Sequence, residues 1–274
     1  VSFIKWLGGK VRFRKEIVDE MPENVGDYYE PFVGAGSVFF ELVKRERIKG
    51  TAHLSDANQC LVYAWQAVRD APHEVQAYLE ARPETREEFM RVRAQDKHTL
   101  SPIERGSRLI WLTNCAYGGA WRETKDGQFS GTWSPSPASR PRIPYRVKTV
   151  FAAHEALKRV NVKIACKPFD LALSRVRSGA LVYCDPPYID ACAAHEYVAG
   201  AYGPDHQRAL YARLRELRGE GASVFVSEAD GAPIASCAAW RTVQRFEPKR
   251  NGMKGRDSQG VFATEFRDAL YAVK

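Results

Sequence analysis

A carboxylate, two prolines and an aromatic ring follow one another at Asp185-Pro186-Pro187-Tyr188, directly after the apolar run Leu181-Val182-Tyr183-Cys184. Together they could hold a planar exocyclic amine. The Asp185 carboxylate and the Pro186 carbonyl each accept one N–H, and the Tyr188 ring stacks on the heterocycle that bears the amine. The prolines fix φ and withdraw two backbone donors, so the chain leaves the strand as a rigid turn. Taken alone, the tetrapeptide is equally an ordinary strand entering a Pro-Pro loop, with Asp185 as a turn residue. Other stretches of the chain decide between the two.

Near the amino terminus, Trp6-Leu7-Gly8-Gly9-Lys10 places a stacking ring and a lysine beside glycines at a helix entrance, where backbone amides face an anion or carboxylate. On its own this triplet of glycines and lysine is also a common turn. Glu30-Pro31-Phe32-Val33-Gly34-Ala35-Gly36 reads as a strand running into a small-residue turn, followed by a helix with Val38, Phe39 and Leu42. Gly34 and Gly36 let the backbone pass close to a ligand at that helix's amino end. Asp56 stands 20 residues beyond Gly36, after a short strand at 52–54. A nucleotide-binding α/β unit places an acid there for ribose hydroxyls. Phe39 occupies the third glycine position of G-x-G-x-x-G, which disfavours a pyrophosphate-bearing dinucleotide and leaves a ligand with ribose but no phosphate.

These groups need a scaffold, and 274 residues with a hydrophobic fraction of 45% suit one large α/β domain with or without an insertion. No apolar run reaches about 18 residues, which predicts no membrane span. The amino terminus is not signal-like, and the expectation is a soluble cytoplasmic protein, a monomer in solution. The six cysteines (60, 115, 166, 184, 192 and 237) form no C-x-x-C pair and show no metal-ligand spacing with the six histidines. They read as reduced thiols, and no metal is expected. A net charge of +8 and a pI near 9.2 suit a polyanionic partner.

Along the chain, 57–69 reads as an amphipathic helix through Leu61, Val62, Trp65 and Val68, and Pro72, Pro83 and Pro102 as helix starts. This helical stretch interrupts βαβ alternation, so residues 57–146 read as an inserted subdomain. Within it, Asp126-Gly127 is a hairpin turn signal. Trp121, Arg122, Lys125, Phe129 and Trp133 around that turn predict an exposed β-loop of rings and cations, suited to entering a groove or wedging between bases. Helix at 147–160 and strand at 162–166 lead to Phe169-Asp170 and then to the strand before Asp185. A helix from Pro204 to about 218, a strand at 222–226 and a closing antiparallel pair at 241–246 and 261–273 follow. The glycine-rich loop between that pair carries Lys249, Arg250 and Lys254.

In a doubly wound sheet, ligands bind at the carboxyl ends of the strands. One pocket would therefore hold a ribose-bearing ligand at Gly34, Gly36 and Asp56, beside a pocket for a planar amine at Asp185 and Tyr188. Group transfer between the two follows. The ordered set Lys5-Trp6-Leu7-Gly8-Gly9-Lys10, Glu30 to Gly36, Ser55-Asp56-Ala57-Asn58 and Asp185-Pro186-Pro187-Tyr188 resembles the Dam-type (D12 class, alpha group) DNA adenine N6-methyltransferases over nearly the whole chain.

The resemblance implies an α/β fold: a doubly wound, mostly parallel sheet of the S-adenosylmethionine-dependent methyltransferase type. Residues 1–56 and 147–274 would form the catalytic domain, and 57–146 a helical and β-hairpin target-recognition insertion. It implies S-adenosylmethionine as cofactor, double-stranded DNA as partner and a bacterial or phage origin. Trp6, Lys10, Glu30, Phe32, Gly34, Gly36, Asp56, Asp170 and Asp185 would contact the donor. Asp185, Pro186, Pro187 and Tyr188 would hold an extruded adenine, and Trp121, Arg122, Lys125, Phe129, Lys249, Arg250 and Lys254 would contact DNA. Thr124, Ser130, Gly118, Trp121 and Glu228 depart from the family pattern and detach the recognition sequence from GATC. The alternatives are the same fold acting on another planar amine (cytosine N4, RNA or protein) and a catalytically silent DNA-binding homologue.

Overall fold

The computed structural model describes residues 2–6, 8–124, 126–135, 141–189, 202–229, 240–246 and 268–273. Seven strands form one sheet: β1 (Tyr28–Glu30), β2 (Thr51–Asp56), β3 (Asn161–Cys166), β4 (Leu181–Cys184), β5 (Ser223–Ala229), β6 (Trp240–Phe246) and β7 (Asp268–Val273). Their order across the sheet is β3-β2-β1-β4-β5-β7-β6. The first five pair in parallel, and β7 runs antiparallel between β5 and β6. This is the mostly parallel α/β sheet that the sequence predicts, including the closing antiparallel pair.

The order fixes where a ligand can sit. From β1 the chain winds outward through β2 to β3, and from β4 it winds the other way to β5. The sheet therefore has its topological switch point between β1 and β4, paired as Tyr28 with Leu181 and Tyr29 with Val182. Both strands are buried along their whole length, as expected of central parallel strands covered on both faces. Polar side chains can leave them only at the ends.

Eight helices longer than a single turn are defined among the described residues. α1 (Arg14–Asp19) and α2 (Ser37–Lys44) precede β2, and α3 (Gln59–Asp70), α4 (Pro72–Glu80), α5 (Arg86–Arg93), α6 (Pro102–Cys115) and α7 (Arg142–Lys158) lie between β2 and β3. The four-residue α8 (Phe169–Ala172) follows β3, and α9 (Pro204–Gly219) precedes β5. The Asn58 side chain accepts from the Leu61 amide, so α3 starts two residues later than its apolar pattern implies. Pro72 and Pro102 begin α4 and α6, and Ser101 with Glu104 closes a capping box on α6. Pro83 instead lies in the turn before α5, whose cap is Thr85. α7 begins at Arg142 rather than 147, because Pro144 falls in its first turn, where no amide partner is lost.

One apolar cluster covers one sheet face and continues without a break into the helices between β2 and β3, joining Phe3, Tyr28 and Trp65 to Phe89 and Trp111. The second, on the opposite face, packs Leu210, Leu214 and Leu217 of α9 against Val182, Cys184 and Val226. α3 touches both the sheet and α6, so it links the helices between β2 and β3 to the strands.

Candidate active site at the carboxyl edge of the sheet

β4 delivers Asp185 at the switch point. Its Oδ1 lies 2.8 Å from Nζ of Lys10, a side chain only 5% exposed. The same ammonium donates to the Gly8 carbonyl at 3.0 Å and stands 4.9 Å from the centre of the Tyr188 ring. An N–H donor is thus held between a carboxylate and an aromatic face. Pro186 is buried, and Pro187 and Tyr188 are half-buried. The two ends of the chain's motif set, far apart in sequence, meet here.

The glycine turn stands beside it. Gly34 and Gly36 have φ of 46° and 62°, the left-handed region that favours glycine. The Gly34 amide donates to Asp56 Oδ2 at 3.2 Å and the Asn58 amide to Oδ1 at 3.0 Å, which fixes the carboxylate at the end of β2. A methyl group on Gly36 would lie 2.4 Å from Trp65 Cη2, and one on Gly34 would lie 3.1 Å from Trp6 Cδ1. Trp6 therefore lies against the turn. Trp65 was legible in the sequence only as a helix-face residue; its Nε1 donates to the Gly34 carbonyl at 3.0 Å and makes it a wall of the turn.

The acids titrate unusually. Burial pushes Asp56 up to about 6, against the opposing pull of the Asn58, Gly34 and Ala57 amides. Glu30, fully buried at the end of β1, is raised well above the usual carboxylate range, by burial first and also by the charges of Asp185 and Asp56. Its Oε2 accepts the Tyr28 hydroxyl at 2.8 Å, a partner that alternation within β1 could have suggested. Phe32 stacks on Phe169 at 5.8 Å, and Tyr202 meets its edge at 5.7 Å. Asp170 is exposed in the first turn of α8, next to Phe169. Behind β4, Ser227 bonds the Tyr183 hydroxyl at 2.7 Å, and buried Glu228 accepts from Tyr211 at 2.7 Å and Gln207 at 3.3 Å.

The hairpin corrects the sequence reading. Thr124 and Gln128 close it around Gly127 as the turn signal predicts, and Glu123 bridges Phe129. Its rings, however, point inward. Trp121 and Phe129 are each 3% exposed, 4.8 Å apart, and Phe129 and Trp133 both pack on Phe89 of α5. Trp121 satisfies its indole N–H on Glu123 at 2.9 Å. Burial against Phe89 and the main apolar cluster outweighs display of these rings, so Trp121 and Phe129 are core residues and are not available to DNA. Arg122 is exposed as expected. The exposed rings of the region are Tyr117 and Tyr145, at 75% and 65%, which the sequence reading missed. Lys125, Lys249, Arg250 and Lys254 lie outside the described residues.

A switch-point α/β sheet with a glycine turn, an acid at the end of β2 and an Asp-Pro-Pro-Tyr strand end fits an α/β enzyme of the methyltransferase class. Comparison with known proteins makes the assignment specific. The chain belongs to the D12 class N6 adenine-specific DNA methyltransferases, whose family model matches residues 6–245. It is 27% identical to a type II methyltransferase of Lactococcus lactis subsp. cremoris, over 85% of this chain and 82% of that one. It is 26% identical to the DNA adenine methylase of Vibrio cholerae, over 91% and 92%. The DNA adenine methylase of Escherichia coli is 30% identical over 72% of this chain and 68% of its own. No helix among the described residues is long and apolar enough to cross a membrane.

Proposed function

We propose that this chain methylates the N6 amine of an adenine extruded from double-stranded DNA, with S-adenosylmethionine as donor. The observation that carries the reading is the Lys10 ammonium, seated 2.8 Å from Asp185 and 4.9 Å from the Tyr188 ring, because an exocyclic amine requires the same surroundings. In this reading Asp185 and the Pro186 carbonyl accept the amine's hydrogens, and Tyr188 stacks on the base. Those bonds aim the nitrogen lone pair, so the residues act by alignment and electrostatics.

Asp56 would accept the donor's ribose hydroxyls, the 34–36 turn would pass along it, and Trp6, Lys10, Glu30, Phe32 and Asp170 would border it. The close contacts of Gly34 and Gly36 support such a fit, since any side chain there would fill the turn. When bound, the donor supplies a methyl group on an electrophilic sulfonium. Residues 57–146 are proposed as the DNA-recognition region, with Arg122 and the exposed Tyr117 and Tyr145 on its surface.

The test is incubation of the protein with labelled donor and DNA, followed by digestion to nucleosides. Label in N6-methyladenine, lost in Asp185→Ala, is the expected result. Label in another nucleoside, or none on any duplex, overturns it.

A further inference from the structure

The sheet face opposite α3 and α7 is poorly covered at its β3 edge. The helix that follows β3 there is α8, four residues long, and Asn161 and Lys163 stay exposed. A shallow pocket of about 100 Å³ opens on this face, lined by Tyr29, His53, Ser55, Lys163, Lys167 and Leu173 among others. Its floor is rigid. The Tyr29 and His53 rings lie parallel, 4.3 Å apart and tilted by 3°, and Tyr29 donates to the Arg175 carbonyl at 3.2 Å.

Most of the charge around it is positive. Lys163, Lys167 and Arg177 all bear on His53 and, with burial as the larger cause, hold its imidazole below its ordinary value. The opposing acid is Asp27, 3.9 Å from His53 Nε2. Lys163 and Lys167 line the pocket, and Arg175 and Arg177 stand in the segment that follows Leu173. Two lysines over an aromatic floor suit an anion. The pocket's rim includes Pro31, Ser55 and Lys167, at or just beyond the carboxyl ends of β1, β2 and β3, the same edge as the candidate active site.

We propose that this pocket is a DNA phosphate site, a sequence-independent backbone contact outside residues 57–146. It rests on the reading that the substrate is duplex DNA, whose phosphates are the matching polyanion. Lys163 and Lys167 would each displace counterions from one phosphate, and His53 would gain a negative neighbour.

Fluorescence anisotropy of a labelled mixed-sequence duplex across a salt series tests it without knowledge of the recognition site. Lys163→Glu/Lys167→Glu is expected to weaken binding by about tenfold or more and to lower the slope of log K against log salt by about 2. Lys163→Gln/Lys167→Gln should do the same to a smaller degree, and guards against misfolding of the charge-reversed chain. Arg215→Glu/Arg218→Glu on α9 changes the net charge equally and should leave the slope unchanged. In parallel, the imidazole resonances of His53 should titrate at higher pH once duplex is added. An unchanged slope, or a loss matched by the α9 variant, overturns the proposal. So does a His53 response to inorganic phosphate but not to duplex, which would make this a small-anion site. All of these measurements read binding alone, so a wild-type protein that binds duplex but transfers no methyl group would overturn the activity and not this site.

Discussion

The carboxyl edge of the sheet and the 121–133 hairpin carry the same mixture of residues, aromatic rings beside charges, and the fold treats them in opposite ways. At the edge, β4 is buried on both faces, so its last polar residue must emerge at the strand end. Asp185 and Tyr188 consequently stay partly exposed, with Lys10 beside them. In the hairpin no such constraint exists. Each large ring that turns inward removes roughly 150–250 Å² from water, worth up to about 4–6 kcal/mol at ~25 cal/mol/Å². Trp121 and Phe129 take that course and leave Arg122 outside. A ring on a strand end is available for chemistry, whereas a ring on a loop over an apolar cluster tends to become part of it.

Substitutions test that contrast directly. The largest effect should fall on Asp185→Asn, which keeps the side chain's shape but removes its charge and one acceptor. Methyl transfer should drop by about 10³-fold or more, measured as kcat with labelled donor; a drop under tenfold would remove Asp185 from the reacting centre. Trp121→Ala should instead cost stability, about 3–5 kcal/mol by denaturant unfolding. Arg122→Ala should leave stability within about 0.5 kcal/mol and weaken duplex binding. If Trp121→Ala left the unfolding midpoint alone and only weakened DNA binding, the contrast between the regions would break.

The glycines sharpen it further. Gly36→Ala combines a positive φ with a methyl 2.4 Å from Trp65, and should cost more than the ~1–2 kcal/mol of the backbone strain alone. Gly118→Ala, with φ of 65° but nothing within 4 Å, should cost only that backbone amount. Equal losses in thermal unfolding would deny the close approach at the turn.

The smallest effect is in pH. Asp56 is raised in the folded chain to about 6, so the native state holds its proton more tightly than the unfolded one. Stability from this group is therefore present at low pH and lost as pH rises from about 4 to about 6. Donor binding runs the other way, because only the carboxylate accepts from both ribose hydroxyls. Affinity for a non-reactive donor analogue, measured by calorimetry, should fall as pH drops through about 6, and Asp56→Asn should flatten that dependence. A flat wild-type profile would show that Asp56 does not meet the donor in its charged form.

Much of the fold was legible because it follows from local chemistry. Asn58, Pro72, Ser101 and Pro102 mark helix starts by what their side chains or missing amides do within one turn. Gly34 and Gly36 mark a turn that needs positive φ, and the apolar run at 181–184 marks a strand covered on both faces. The Asp185 motif and the glycine turn were legible for the same reason, since a rigid turn after a strand end holds its side chains by backbone geometry alone. What was not legible depended on partners remote in sequence. Trp65 became a wall of the glycine turn through a bond across 31 positions, and Lys10 met Asp185 across 175.

The sequence by itself thus determined the parallel sheet, the order of the motifs and the chemical types at the carboxyl edge. Only the tertiary structure decided which rings face solvent, which acids sit close enough to raise Glu30, and that the β2–β3 face gathers Lys163 and Lys167 around one pocket. The physical reason is that caps, turns and strand ends are settled by covalent neighbours, whereas burial and charge coupling depend on everything packed within a few ångströms, wherever it lies along the chain.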